Sequence, residues 1–198
     1  MKKINSNTKC LLITATLVLM QLLGFAQTKL TDLKDGSINK ALNYSYQIKK
    51  TIKYIEIDNI NNKFTNIKPN SPGLYGQVLT KPDIVIDMEK ISKICAKHIS
   101  TKQLEILTVG TKYTGLRIII RTDIYGNTLE IGFFTEQNSI LTLNQLEKIE
   151  NELMTTKLIS MKPEILPLLE GSNFWQIRPK FYYEDLLKVK VEMEASKP

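Results

Sequence analysis

Residues 116–135 read LRIIIRTDIYGNTLEIGFFT, and the fold turns on how they are parsed. Two runs rich in β-branched and aromatic residues, 116–124 and 128–135, flank Tyr125-Gly126-Asn127, a glycine turn short enough to close a hairpin. Just downstream, Thr142-Leu143-Asn144-Gln145 is a capping box, in which the threonine oxygen accepts an early helix amide and Gln145 reaches back. Leu143, Leu146, Ile149 and Leu153 follow at three- and four-residue steps, so the helix has one apolar face. Strand, tight turn, strand and capped helix predict an antiparallel sheet carrying a helix.

Working outward, Asp87 can cap a helix over 88–98, where Met88, Ile91, Ile94, Cys95 and His98 recur on one side. Residues 110–115 form a turn-rich lead into the hairpin. A further strand is predicted over 158–161, Pro163 and Pro167 bound a loop, and 177–183 reads as a last strand before a charged tail. In the N-terminal third, Leu42, Tyr44, Tyr46 and Ile48 alternate with polar partners, and 53–57 is a second short β-type run broken by the turn formers of 58–63. A helix over 39–54 stays open, because Leu42, Tyr46 and Tyr54 could share a face. Residues 68–73, Lys-Pro-Asn-Ser-Pro-Gly, give the strongest loop signal. The expected organisation is a leader over 1–26, an irregular or β-rich N-terminal extension over 27–73 and an α+β domain over 74–198. In that domain an antiparallel sheet has two main helices packed on one face.

The leader sets the compartment. Lys2, Lys3 and Lys9 precede an apolar run over 10–25, and Gly24-Phe25-Ala26 presents small residues at −3 and −1 before Gln27. That is the layout of a cleavable export signal. The sixteen-residue run is interrupted by Thr14, Thr16 and Gln21, short of the roughly 20 apolar residues of a spanning helix. Cys10 stands at its start rather than its exit, which disfavours lipid anchoring. Cleavage after Ala26 would deliver 172 residues to the periplasm or the cell exterior, with no stable membrane insertion.

Trimming removes three lysines and no acid, so the net charge of +7 falls to +4. Only Arg117, Arg121 and Arg178 then offer the bidentate fork that reads phosphates and bases, so no nucleic-acid partner is expected. Cys95 is left as the sole thiol, which makes it either an intermolecular bridge or a buried small hydrophobe; Ile91, Ile94 and Ile99 around it favour burial. Cys95 and His98 share a helix face, but a closed zinc site needs four ligands and no other Cys or His remains, so no metal and no cofactor is assigned. As nucleophile and base the same pair sits on one helix turn, which seldom holds both the required geometry and an oxyanion hole, and there is no Gly-x-Ser-x-Gly elbow. Gly73-Leu74-Tyr75-Gly76 is too short for a phosphate loop. Carboxylate pairs remain, Asp83 with Asp87 or Glu89 and Glu130 with Glu136. No catalytic residue is assigned. The most suggestive patch is Phe174, Trp175, Phe181, Tyr182 and Tyr183 interleaved with Arg178 and Lys180, which either stacks a ligand or is a core-facing strand with a few exposed rings. Arg117 and Arg121, four apart on a strand, point to one face with Ile119 between them, as a binding strip or as the edge of a buried sheet.

The order of elements resembles the C-terminal domain of TonB-type proteins. The matching residues are 118–123, Gly126-Asn127, 129–134, 143–153 and 174–181 with Pro179, about the last ninety residues, in topology and without a signature motif. The whole chain, with its Ala-Gln exit and its length, also resembles a family of small uncharacterised exported proteins of Bacteroidetes, a domain of unknown function. An energy transducer keeps its anchor and carries a long proline-rich spacer, whereas this leader reads as cleavable and the sequence shows no such spacer. The resemblance therefore implies binding rather than force transmission. The expected function is an exported non-enzymatic binding or assembly module of the bacterial cell envelope, taking an envelope protein or peptide by edge-strand pairing. Trp175, Arg178 and Tyr182, with Arg117 and Arg121, are the expected binding residues. The alternative is a small carboxylate-dependent hydrolase acting on an envelope polymer.

Overall fold

The computed structural model describes residues 28–74, 83–109 and 114–196; the leader and most of the 110–115 turn lie outside the described residues. In chain order the strands are β1 (Ile38–Lys40), β2 (Ser45–Lys50), β3 (Tyr54–Asn59), β4 (Ile84–Ile86), β5 (Gly115–Thr122), β6 (Thr128–Glu136), β7 (Ile159–Met161), β8 (Trp175–Ile177) and β9 (Lys180–Tyr182). The helices are α1 (Met88–His98), α2 (Thr101–Thr108), α3 (Leu143–Thr155), the single turn α4 (Leu166–Leu169) and α5 (Tyr183–Ala195). The main sheet is antiparallel in the order β1-β2-β3-β6-β5-β8, with β9 also paired to β5. This is the α+β class that the hairpin and capping box predict.

The hairpin is the sheet's centre. Arg117 to Arg121 pair with Phe134 to Glu130, and a bulge follows at Arg121/Thr122. Gly126 closes the turn at φ 78°, a left-handed conformation that costs glycine little. Asp123 supports the turn by accepting from the amides of Tyr125 and Asn127. Alternation then sorts the side chains. Leu116, Ile118 and Ile120 of β5, Ile131 and Phe133 of β6, Ile55 and Ile57 of β3, and Tyr46 and Ile48 of β2 are buried on one face. Against them pack Ile91, Ile94 and Cys95 of α1, Leu104 of α2, Leu143, Leu146, Ile149 and Leu153 of α3, and Tyr183 and Leu186 of α5. Each such side chain contributes about 1.5–3 kcal/mol on full burial, so this single layer is what holds the fold.

Both expected helices form with their expected caps. The Asp87 side chain accepts from Lys90 N, and the Thr142/Gln145 box is complete. The ambiguity over 39–57 resolves to strands: the period-two pattern prevails because β6 offers β3 a partner, with Ile57 opposite Phe133. Strands of the 27–73 segment and of the 74–198 segment thus share one sheet.

Several elements differ from the sequence expectation. Residues 159–161 form the expected strand, but β7 pairs with β4 in a separate two-stranded sheet, unlike the third strand of a TonB-type order. The last strand is two, β8 and β9, broken at Arg178-Pro179; the Pro179 carbonyl still accepts from Ile118 N while its ring nitrogen can donate nothing. The charged tail is helix α5, with Glu184 and Asp185 in its first turn to complement the dipole, and Tyr183 and Leu186 buried. Helix α2 is additional to the expected elements, and Ser100 and Gln103 form a second capping box at its start.

Candidate functional site

The face of the sheet away from the helices carries the polar side chains. Cross-strand pairing sets them in rows: Glu56, Phe134, Arg117 and Lys180 in one, and Tyr54, Glu136, Gly115 and Tyr182 in the next. Gly115 interrupts the second row. A Cβ there would lie 2.3 Å from the Phe181 carbonyl oxygen, so no side chain fits, and the gap is a cavity. Its volume is about 130 Å³, and Tyr54, Gly115, Arg117, Phe134, Thr135, Glu136 and Lys180 line it. Glu136 is engaged, accepting from Gly115 N at 3.0 and 3.2 Å. Lys180 Nζ sits 5.0 Å from the centroid of the Tyr182 ring, within cation–π range. Arg117 is exposed and makes no hydrogen bond or ion pair among the described residues.

Farther along the same face the charges are buried and satisfied, with one exception. Arg121 is 3 % exposed; its Nε donates to Gln176 Oε1 at 3.1 Å and its Nη1 lies 3.5 Å from Glu130 Oε2. Glu130 also accepts from the amides of Lys63 and Phe64, and the Phe64 ring packs on Phe174 at 4.9 Å. These bonds strap the 60–74 segment to the strand and to the region before β8. The exception is Asp58, whose carboxylate is buried with neither oxygen hydrogen-bonded. Burial, and then the neighbouring Glu56, push it up to about 6 against the opposing pull of Arg121.

The residues expected to bind are therefore divided. Trp175 lies half-buried on β8, with its indole Nε1 buried and without a hydrogen-bond partner. Arg178 is exposed at the break, and Tyr182 is exposed on β9. These three do not meet: Trp175 pairs opposite Thr122 and Tyr182 opposite Gly115, near the two ends of β5. Trp175 lies on the side of Ile177 and the helices, Tyr182 on the face of Arg117, and Arg178 at the break between them. Phe174, Phe181 and Tyr183 are core residues. Arg121 shares the face of Arg117, as their spacing requires, but its guanidinium is enclosed. Tyr54 and Phe134 were not foreseen in this role; the signal was present in the alternation of Glu130, Gly132, Phe134 and Glu136 along one side of β6.

The acids and the thiol hold structural positions. Asp83 pairs with Lys162 at 3.6 Å, Asp87 caps α1 and Glu89 pairs with Lys93. His98 Nε2 contacts Glu152 Oε2 at 2.7 Å, and Cys95 is a wholly buried free thiol whose pKa burial raises. Such burial blocks an intermolecular bridge through Cys95. Among the described residues, no group of three or more His, Cys, Asp or Glu side chains is placed to hold a metal ion, and no helix is long and apolar enough to cross a membrane. A second cavity of about 430 Å³ has both Glu130 and Glu150 in its wall. Burial raises Glu150 to about 6, although Tyr46 and Asn59 donate to its carboxylate.

No family model matches the chain, and no curated protein is similar to it. Among solved structures it is similar to a DUF5043 family protein from Bacteroides uniformis, with a TM-score of 0.61 and 15 % identity over 78 % of this chain and 88 % of that one. At that identity the likeness is one of fold, and it agrees with a Bacteroidetes-type domain of unknown function.

Proposed function

We propose that the protein is an exported, non-enzymatic binding or assembly module of the bacterial cell envelope, and that it takes an extended segment of a partner along its β8–β9 edge. The observation that carries this reading is the outer edge made by β8 and β9, outside which no described strand pairs, with Trp175, Arg178 and Tyr182 spaced along it. An edge of two three-residue strands interrupted by Pro179 is a poor template for indiscriminate self-pairing. A partner would need side-chain contacts as well as main-chain ones, and the exposed aromatic and basic side chains supply them. Export rests on the leader; trimming after Ala26 would leave the whole described fold, whose first buried residue is Leu30.

Affinity capture from an envelope extract, read by mass spectrometry, tests the edge. Trp175→Ala combined with Arg178→Ala should lose the protein that the unaltered chain retains; undiminished capture removes these residues from the function. Intact-mass analysis of native material tests export, which retention of Met1–Ala26 overturns.

One observation favours a second reading, a carboxylate-dependent hydrolase acting on an envelope polymer. Glu130 and Glu150 share a cavity, and Glu150 is raised toward the range of a general acid. Release of soluble fragments from purified cell-wall polymer, abolished by Glu150→Gln, would support it; no release by the unaltered protein retires it.

A further inference from the structure

The cavity beside the β9 edge is a built feature that edge pairing alone does not use. Arg117 presents a guanidinium that nothing in the described structure engages, next to the face of Phe134 and the ring of Tyr54. Lys180 adds a second positive charge at the rim, while the one acid in the wall, Glu136, is held by Gly115 N. At about 130 Å³ the space is well below the roughly 300–1,000 Å³ of small-molecule sites, and it suits one side chain. We propose that it is the specificity pocket of the binding edge and takes the carboxylate of a glutamate side chain from the extended partner segment. This assignment rests on the edge reading above.

Charge and geometry select that group. A guanidinium fork matches a planar carboxylate with two parallel hydrogen bonds. A dianionic phosphate fits less well, because the Glu136 carboxylate in the wall repels a second negative charge. A partner strand paired outside β9 would run two strand spacings, about 9.6 Å, from β5. Only a long acidic side chain reaching in toward a long basic one closes that gap, which favours glutamate over aspartate.

Titration of the ¹⁵N-labelled protein with N-acetyl-glutamate N-methylamide, followed by amide chemical shifts, tests the pocket. The probe should shift the Gly115, Phe134 and Thr135 amides saturably, in the millimolar range. The glutamine counterpart should bind at least about tenfold more weakly, equivalent to about 1.4 kcal/mol. Arg117→Gln should weaken the glutamate probe by a similar factor, and Lys102→Gln, at an exposed position on helix α2, should leave it unchanged. Equal titration by both probes, no saturable shift, or an undiminished response in Arg117→Gln overturns the assignment. Should Arg117→Gln disturb the spectrum globally, Arg117→Lys decides: keeping the charge without the fork, it should bind the probe more weakly, and unaltered affinity overturns the proposal. Failure of the edge reading is distinguishable, since it appears as undiminished capture by the Trp175/Arg178 double variant while the probe still titrates.

Discussion

Glu147 is wholly buried on α3 and forms no ion pair among the described residues. Its carboxylate instead accepts from Asn43 N, Asn43 Nδ2 and Tyr44 N, so it closes the turn between β1 and β2 from across the core. Glu147→Ala would strand those donors and should lower stability by about 2–3 kcal/mol, read as a shifted urea midpoint. Asp58 and Glu150 behave differently, because burial raises both to about 6. A carboxyl whose folded pKa lies above its unfolded value binds more protons when folded, so stability falls as pH rises through that window. The melting temperature should therefore be several degrees higher at pH 5 than at pH 7, from about 1–3 kcal/mol in all. Asp58→Asn should flatten that dependence, and an equal slope in the variant contradicts the assignment.

Elements owe their placement to a few contacts. Gly126 serves the hairpin turn twice, since its φ is left-handed and a Cβ would stand 2.4 Å from the Ile159 carbonyl oxygen on β7. Gly126→Ala should thus cost more than backbone strain alone, about 2–4 kcal/mol by chemical denaturation. Helix α5 is anchored by the Tyr183 hydroxyl, 2.6 Å from Thr135 Oγ1, and by the buried Leu186. Truncation before Tyr183 uncovers the sheet, and the expected result is loss of the cooperative thermal transition. That helix reads as a tail because Lys188, Lys190, Glu192 and Glu194 fall on every other residue instead of at helical spacing, leaving Tyr183, Leu186 and Leu187 to mark its apolar side.

The molecule as a whole is a sheet with one face closed by helices and the other partly open. Arg117, Lys180, Tyr182 and the cavity lie on the open side, so binding there should leave the core unaffected. Variants at the exposed Arg178 and Arg117 are expected to keep the melting temperature within about 2 °C of the unaltered protein while changing capture or probe affinity. Cys95, enclosed between α1 and its neighbours, should stay unreactive to a thiol reagent until the protein is denatured, and non-reducing electrophoresis should show no disulfide-linked dimer.

Local chemistry alone determined the hairpin, both capped helices, the α+β class and the burial of Cys95, because turn formers, capping boxes and three-to-four spacing act within a few residues. Tertiary pairing decided the rest. Whether 39–57 is helix or strand depended on β6 being free to pair with β3, and β7 left the main sheet because β4, some seventy residues earlier, offered it an edge. The same held for the candidate site. Spacing places Arg117 and Arg121 on one face, but the neighbours of Arg121, Glu130 and Gln176, come from other strands, and they enclose one arginine while leaving the other open. Periodicity is a property of one strand, whereas burial belongs to the strands and loops that meet over it.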